Sequence, residues 1–158
     1  MKGNEKLIAE LNSLLFDELT AINQYIVHAE MNDTWGYARL HKMIEQRAIT
    51  EMRHAEKLIE RILFLEGVPV VSRLGEINIG PDVPKQFGHD LNAEMSAVRH
   101  YNAVIKLAGE VNDFATRELL ETILKDEDAH VDEIEENQDQ IAQIGLGIYL
   151  SQQIREKA

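Results

Sequence analysis

IEQRAITEMRHAEKLIERILFLEG, residues 44–67, contains the pattern that decides the fold. Its apolar side chains recur at alternating steps of four and three residues, which is the period of one face of an α-helix. A glutamate lies in the middle of that face, since the full series is Ile44, Ala48, Glu51, Ala55, Leu58 and Ile62. Such a face packs against other helices, so an ionisable group at its centre needs a compensating partner.

Three other segments repeat this pattern, each with one glutamate. The series are Leu11, Leu15, Glu18, Ile22 and Tyr25; Phe87, Leu91, Glu94, Val98, Tyr101 and Ile105; and Leu120, Leu124, Glu127, Val131 and Ile134. Few helix breakers interrupt these segments. We therefore predict four long helices, over about 5–33, 37–65, 84–110 and 114–143.

A long connection separates the second and third helices. All three prolines lie between Pro69 and Pro84, and glycines are concentrated in the same region. A segment over about 67–83 is long enough to run from one end of a bundle to the other. A short helix over about 146–156 follows Gly145. The chain (1–158) is thus predicted to be one all-α domain, a four-helix bundle over about 5–143 with a long crossover between helices 2 and 3 and a short C-terminal fifth helix.

The composition restricts the partners and the chemistry. The 158 residues include 16 basic and 28 acidic side chains, and this net charge of −12 argues against binding to nucleic acid or to anionic membranes. The absence of cysteine excludes disulfides, thiol catalysis and cysteine-ligated metals. The N-terminus lacks a signal-peptide pattern and no apolar run is long enough to span a membrane, so we expect a cytoplasmic protein.

Two of the four glutamates begin a Glu-x-x-His sequence, Glu51 to His54 and Glu127 to His130. Residues three apart share a helix face, so each pair can present a carboxylate and an imidazole to one ion. The glutamate of the preceding helix lies 33 residues earlier in both cases. The two halves of the chain are therefore predicted to form a pseudo-twofold pair.

Together these residues form a candidate metal-binding set. Four carboxylates match the charge of two divalent cations, and the mixture of oxygen and nitrogen donors favours iron or manganese over calcium. Di-iron carboxylate bundles use this ligand pattern. Ordinary half-buried polar groups are the alternative, but they do not account for six residues at matched spacing: Glu18, Glu51, His54, Glu94, Glu127 and His130.

Three further residues on the same helices are candidates for supporting roles. Tyr25 and Tyr101 each stand seven residues after a glutamate of the set, so their hydroxyls are placed to hydrogen-bond ligand carboxylates of neighbouring helices. The alternative for each is an ordinary core tyrosine whose hydroxyl is satisfied elsewhere. Met52 follows Glu51 directly and points about 100° away from the metal-facing side. A methionine on an outer face usually packs in an interface.

Several segments resemble the bacterioferritin family, and the resemblance covers essentially the whole chain. The segments are Asn23-Gln24-Tyr25 with His28, Glu51 to Glu56, Arg61 to Gly67, Arg117 to Leu120 and Glu127 to His130. The resemblance implies a ferritin-like fold and a hollow homo-oligomeric shell of 24 subunits. It also implies iron storage and detoxification by a ferroxidase, which oxidises iron(II) with dioxygen or hydrogen peroxide and deposits iron(III) mineral.

The resemblance also implies roles for individual residues. Glu18 and His54 would hold one iron of a di-iron site, Glu94 and His130 the other, with Glu51 and Glu127 bridging. Met52 would be an axial ligand of a haem b shared between two subunits, and Tyr25 resembles a tyrosine that family members can use as an electron donor. A small ferredoxin is the implied reductant for iron release.

Three other functions are compatible with a bundle of this kind. A DNA-binding mini-ferritin fits poorly because the chain is acidic and has no basic tail. A rubrerythrin-like peroxidase usually carries a cysteine-ligated iron domain, which is absent. A non-catalytic shell subunit that binds only haem would be expected to lack one or more of the six ligands.

Several other polar residues are assigned lesser roles. Some relatives carry a histidine and an aspartate near the inner surface, where this chain has Gln46 and Thr50, so we do not expect an iron site there. Four histidines without ligand spacing are predicted to be surface or interface residues: His28, His41, His89 and His100. The acidic run from Asp126 to Asp139 is predicted to be a solvated face, with iron attraction as the minority alternative.

Overall fold

The computed structural model describes residues 1–154, which form five α-helices and no strand. The helices are α1 (Glu5–Thr34), α2 (Ala38–Phe64), α3 (Val83–Glu110), α4 (Phe114–Ile144) and α5 (Leu146–Ser151). The prediction of an all-α bundle with a short fifth helix is therefore confirmed. The four long helices begin and end within one residue of the predicted positions.

Side-chain caps start three of the four long helices. The side chain of Asn4 accepts a hydrogen bond from the Leu7 amide at the start of α1. Asp82 and Asp113 cap α3 and α4 in the same way, through the amides of Lys85 and Thr116. Each cap satisfies an amide that the first turn of a helix leaves unpaired, so these residues fix where the helices begin.

The apolar core is divided by a polar layer at the middle of the bundle. One cluster of buried residues includes Leu11, Leu58 and Leu120, and a second, at the other end, includes Phe87 and Ile134. On each long helix the glutamate of the repeated pattern lies between the residues of these two ends. α1 packs mainly on α2, and α3 on α4, with α1 also contacting α3 and α2 contacting α4.

The crossover between α2 and α3 lies along α1 and is held by polar side chains of that helix. Asn12 hydrogen-bonds the backbone of Val68 and Val70, and the Thr20 hydroxyl accepts from the amide of Gly75. The series continues in order along α1: the Gln24 side chain accepts from the Asn78 amide, and Nε2 of His28 accepts from the Gly80 amide at 2.9 Å. The extended connection is thus anchored along its length.

His28 is fully buried, so the prediction that it is a surface or interface residue was wrong. Because its Nε2 accepts from Gly80, its ring proton lies on Nδ1, which donates to Asp90 at 2.9 Å. Asp90 also accepts from Gln24 and from the buried guanidinium of Arg47. Burial of these groups is tolerated because they satisfy one another, and their partners are more than 40 residues apart in sequence.

The fifth helix is shorter than predicted. It ends at Ser151 instead of near residue 156, and residues 155 and 156 of the predicted range lie outside the described part of the chain. Just after this end, the side chain of Arg39 of α2 donates to the carbonyl of Gln152, and the Arg39 amide donates to the carbonyl of Gln153. Over residues 1–154, no helix is both long and apolar enough to cross a bilayer.

A substitution at Gly80 tests how closely the crossover packs against α3. A Cβ at this position would lie 2.4 Å from the backbone nitrogen of Gln86, so Gly80→Ala should destabilise the fold by about 1–3 kcal/mol. Gly88→Ala is the matched control, because nothing lies within 4 Å of a Cβ there and α3 gains helix propensity. Denaturant unfolding of both variants measures the difference, and equal stability would contradict the close contact.

Candidate metal centre

Each long helix contributes one glutamate to a cluster in the middle of the bundle. Glu18, Glu51, Glu94 and Glu127 are 3%, 1%, 2% and 1% exposed, respectively. His54 follows Glu51 by one helical turn on α2 and is equally buried, whereas the side chain of His130 on α4 is 12% exposed. All six residues of the predicted set are therefore brought to one place.

The cluster divides into two overlapping groups. One contains Glu18, Glu51, His54 and Glu127, and the other contains Glu51, Glu94, Glu127 and His130; within each group, one ligand atom per residue lies within 4.8 Å of the others. Glu51 and Glu127 belong to both groups. Two ions bound in these groups would therefore share the two central carboxylates.

The Nδ1 atoms of the two histidines face the carboxylates in a matching way. Nδ1 of His54 lies 2.9 Å from Glu51 and 3.2 Å from Glu127. Nδ1 of His130 lies 2.9 Å from Glu51 and 3.5 Å from Glu127. Each imidazole also approaches one outer glutamate, His54 to Glu18 at 3.5 Å and His130 to Glu94 at 3.4 Å.

Several buried polar atoms at the centre have no aligned hydrogen bond, and these atoms suit metal coordination. They are Glu51 Oε1, Glu94 Oε2, both carboxylate oxygens of Glu127 and Nδ1 of His130. Unsatisfied buried carboxylate oxygens are costly, and cations bound among them offset that cost. The oxygen and imidazole donors fit iron, which accepts both kinds of ligand.

Two tyrosines hold the outer glutamates from across the bundle. Tyr25 of α1 donates its hydroxyl to Glu94 of α3 at 2.5 Å, and Tyr101 of α3 donates to Glu18 of α1. Both rings are fully buried. This reciprocal pair fixes one oxygen, Oε1, of each outer carboxylate, and the same oxygen lies nearest the histidine of its group.

Burial and crowding of charge shift the proton equilibria of the cluster. Burial, together with the charge of Glu127, raises the pKa of Glu94 to about 7. Burial also raises the pKa of Glu18, and the charge of Glu51 adds to the effect. Burial lowers the pKa of His130, but the close approach of the Glu127, Glu51 and Glu94 carboxylates outweighs it and raises the value to about 12. The metal-free cluster therefore retains protons near neutral pH.

Asp126 lies on the solvated face that the sequence analysis predicted, with its side chain 47% exposed, and it also contacts the cluster. Its Oδ2 lies 2.9 Å from Nε2 of His54. Glu133 of the same run pairs with buried Arg47 at 3.0 Å. No spacing rule indicated either contact, because each depends on how α2 and α4 align. The other acidic residues of the run are exposed, in agreement with the prediction: Asp128, Asp132, Glu135, Glu136 and Asp139.

A cavity of about 280 Å³ extends from the glutamates toward the surface between α1, α3 and the crossover. All four glutamates line it, and Asp17 and Glu76 lie nearer its outer part. Acidic side chains along such a path attract divalent cations. The cavity also contains half-buried His89, which the sequence analysis had assigned to the surface.

Met52 is not part of the buried cluster. It is 46% exposed on the outer side of α2, as the sequence predicted, and Ile26 of α1 is also exposed, at 49%. Gln46 is exposed, and the hydroxyl of Thr50 donates to the Gln46 carbonyl within α2. His41 and His100 are half-buried, and His100 pairs with Asp17 at 2.6 Å.

Comparison with known proteins places the chain among ferritin-like domains, since residues 8–144 match the model of that family. The chain is 39% identical over 145 residues to a bacterioferritin of Brucella melitensis, covering 92% of this chain and 90% of that protein. It is 37% identical over 152 residues to a bacterioferritin of Mycolicibacterium paratuberculosis, covering 96% of each. It is also 37% identical over 156 residues to a bacterioferritin of Streptomyces coelicolor, covering 99% and 93%.

Proton release should accompany metal binding. A cation displaces the protons held by the imidazoles and by Glu94, so the apparent affinity for iron(II) should rise with pH between about 6 and 8, through the pKa of Glu94 near 7. Anaerobic calorimetry in buffers of different ionisation enthalpy counts these protons. Fewer should be released at pH 8 than at pH 6. Binding without any proton release would contradict the shifted values.

Proposed function

Because the chain belongs to the bacterioferritin family, we propose that it stores iron and oxidises iron(II) to iron(III) at the buried cluster of four glutamates and two histidines. The observation that carries this proposal is the overlap of the two four-residue groups through Glu51 and Glu127. Such an overlap is suited to two ions held side by side.

Each residue of the cluster has a distinct part in this proposal. Glu18 and His54 hold one iron, Glu94 and His130 hold the other, and the two shared glutamates bridge them. Four carboxylates carry a charge of −4, which two iron(II) ions neutralise. Oxidation of both ions leaves a surplus of two positive charges, so the product pair binds additional anionic ligands or leaves the site.

Pairing the two ions matches the electron count of the oxidant. Two iron(II) ions give up two electrons, which with two protons reduce dioxygen to hydrogen peroxide. Two more iron(II) ions and two more protons reduce hydrogen peroxide to two water molecules. The full reaction converts four iron(II), one dioxygen and four protons to four iron(III) and two waters. Protons held by Glu94 and the imidazoles before iron binds leave the cluster as iron enters.

The cavity between α1 and α3 is the proposed route for iron(II) to the cluster. Asp17 and Glu76 line it and the four glutamates line its inner part, so acidic side chains occur toward both ends of the path. The tyrosine hydroxyls keep Glu18 and Glu94 oriented while the ions enter. A further proposal is that Tyr25, bonded to Glu94, serves as an electron donor, as its family resemblance implies.

Assembly into a 24-subunit shell of this chain is part of the proposal, with the mineral inside. Exposed apolar side chains support extensive burial between copies. They include Ile26, Met52, Leu63, Phe64, Val68, Val71, Phe114 and Ile148, which are 46% to 77% exposed. A small ferredoxin is the proposed reductant for release of stored iron.

Met52 is the proposed axial ligand of a haem b between two subunits. Its thioether is exposed on the outer side of α2, so the surface offers a soft sulfur donor, which fits a haem. A copy of the same surface across a twofold axis supplies the second sulfur. Haem bound there would supply a one-electron redox centre, and Met52 would be the residue of this chain that holds it.

Stopped-flow absorbance tests the ferroxidase proposal. After aerobic addition of two iron(II) per subunit, wild-type protein should show a fast phase that saturates at two irons. Glu18→Gln and Glu127→Gln should slow this phase at least about tenfold, because each removes an anionic ligand. Glu136→Gln is the matched control, since this glutamate is exposed on α4. Equal slow oxidation in all four proteins would favour a non-catalytic haem-binding shell.

Haem titration tests the proposed axial ligand. Met52→Leu keeps the apolar volume but removes the sulfur, so the Soret band of bound haem should be lost or shifted. Met95→Leu is the control, because Met95 is similarly exposed, at 40%, on α3. Size-exclusion chromatography verifies that both variants assemble. An unchanged spectrum in Met52→Leu would exclude this residue as the ligand.

A further inference from the structure

The two halves of the metal centre differ in what stands behind each histidine. Nε2 of His54 lies 2.9 Å from Oδ2 of Asp126, on the side of the ring opposite the cluster. Within residues 1–154 no hydrogen bond reaches Nε2 of His130. The pseudo-twofold pattern of the ligands is therefore broken directly outside them.

The sequence contains the same break in symmetry. Asp126 immediately precedes the bridging Glu127, and the residue that immediately precedes the other bridging glutamate, Glu51, is Thr50. The Thr50 hydroxyl donates to the carbonyl of Gln46 in its own helix and so does not serve His130. One half of the chain thus supplies a carboxylate where the other half supplies a hydroxyl that is engaged elsewhere.

A carboxylate behind a metal-binding imidazole affects both its tautomer and its position. When Nε2–H donates to Asp126, the ring proton stays on Nε2 and the Nδ1 lone pair is available to a cation. Nδ1 is the atom of His54 that faces Glu18, Glu51 and Glu127. The hydrogen bond also restrains ring rotation and makes the imidazole a stronger donor.

We propose that Asp126 is a positioning residue that makes the two metal positions unequal, so that the position formed with Glu18 and His54 binds its ion more tightly and fills first. This inference rests on the proposed di-metal site and adds an order of loading to it. Loss of such a supporting partner typically lowers metal affinity 10- to 100-fold. The second ion then enters at the position formed with Glu94 and His130, where the imidazole is less restrained.

Two reporter variants separate the positions. His130→Ala weakens the second position and reports on the first, whereas His54→Ala weakens the first and reports on the second. Calorimetric titration of metal-free assembled protein with Zn²⁺ measures each affinity without any redox reaction. We expect the His130→Ala reporter to bind Zn²⁺ at least about tenfold more tightly than the His54→Ala reporter.

Replacing Asp126 by its counterpart in the other half supplies the decisive comparison. Asp126→Thr should weaken Zn²⁺ binding about tenfold or more in the His130→Ala reporter and leave the His54→Ala reporter unchanged. Asp128→Asn is the matched control, because it removes one exposed negative charge from the same helix and should change neither affinity. Equal effects of Asp126→Thr on both reporters, or an effect no larger than that of Asp128→Asn, overturn the proposal.

A reciprocal variant keeps the test decisive if Asp126→Thr does not assemble. Thr50→Asp places a carboxylate behind His130, so it should tighten Zn²⁺ binding in the His54→Ala reporter, and no change would overturn the proposal.

The underlying metal site is tested separately by wild-type protein. If wild-type protein binds no Zn²⁺ in the bundle, the proposed function fails; if it binds two ions but the reporters are unaffected by Asp126→Thr, only the order of loading fails.

Discussion

Four carboxylates enclosed in one helical bundle are the constraint on which the rest of this structure depends. Each glutamate lies between the apolar residues of the two ends of the core and is at most 3% exposed. Ionised carboxylates in such surroundings repel one another and lose hydration, which costs several kcal/mol per group unless cations or protons compensate. Without metal, bound protons compensate, since the raised pKa values of Glu18 and Glu94 favour their protonated forms. Cations compensate in the same way when they bind to the unpaired carboxylate oxygens.

Supporting hydrogen bonds connect this cluster to the fold around it. Tyr25, which donates to Glu94, lies beneath the guanidinium of Arg47 at 5.3 Å, and Arg47 contacts Asp90. Asp90 in turn holds His28, whose other nitrogen accepts from the crossover at Gly80. The long connection is therefore linked through buried polar contacts to a ligand of the metal centre. Its path along α1 also forms one wall of the cavity that leads to the glutamates.

Helix periodicity made most of the fold and the cluster predictable from sequence. A glutamate in the middle of each apolar series had to face the core, and Glu-x-x-His had to place two donors on one side of a helix. The contact between His54 and Asp126 was not predictable, because the two residues are 72 positions apart in sequence and meet only through the alignment of α2 and α4. His28 was misassigned for the same reason, since its partner Asp90 is 62 residues away. The contact of Arg39 with the residues that follow α5 was likewise not predictable, because 113 residues separate Arg39 from Gln152.

Crystallography with anomalous scattering at the iron edge tests the central claim most directly. Crystals loaded anaerobically with excess iron(II) should show two peaks inside each bundle, with Glu51 and Glu127 contacting both ions and one histidine Nδ1 on each. The imidazoles should have exchanged their contacts with the carboxylates for contacts with metal. A single peak in each bundle would contradict a two-ion centre. So would iron bound only elsewhere, with the histidines of the cluster still hydrogen-bonded to the glutamates.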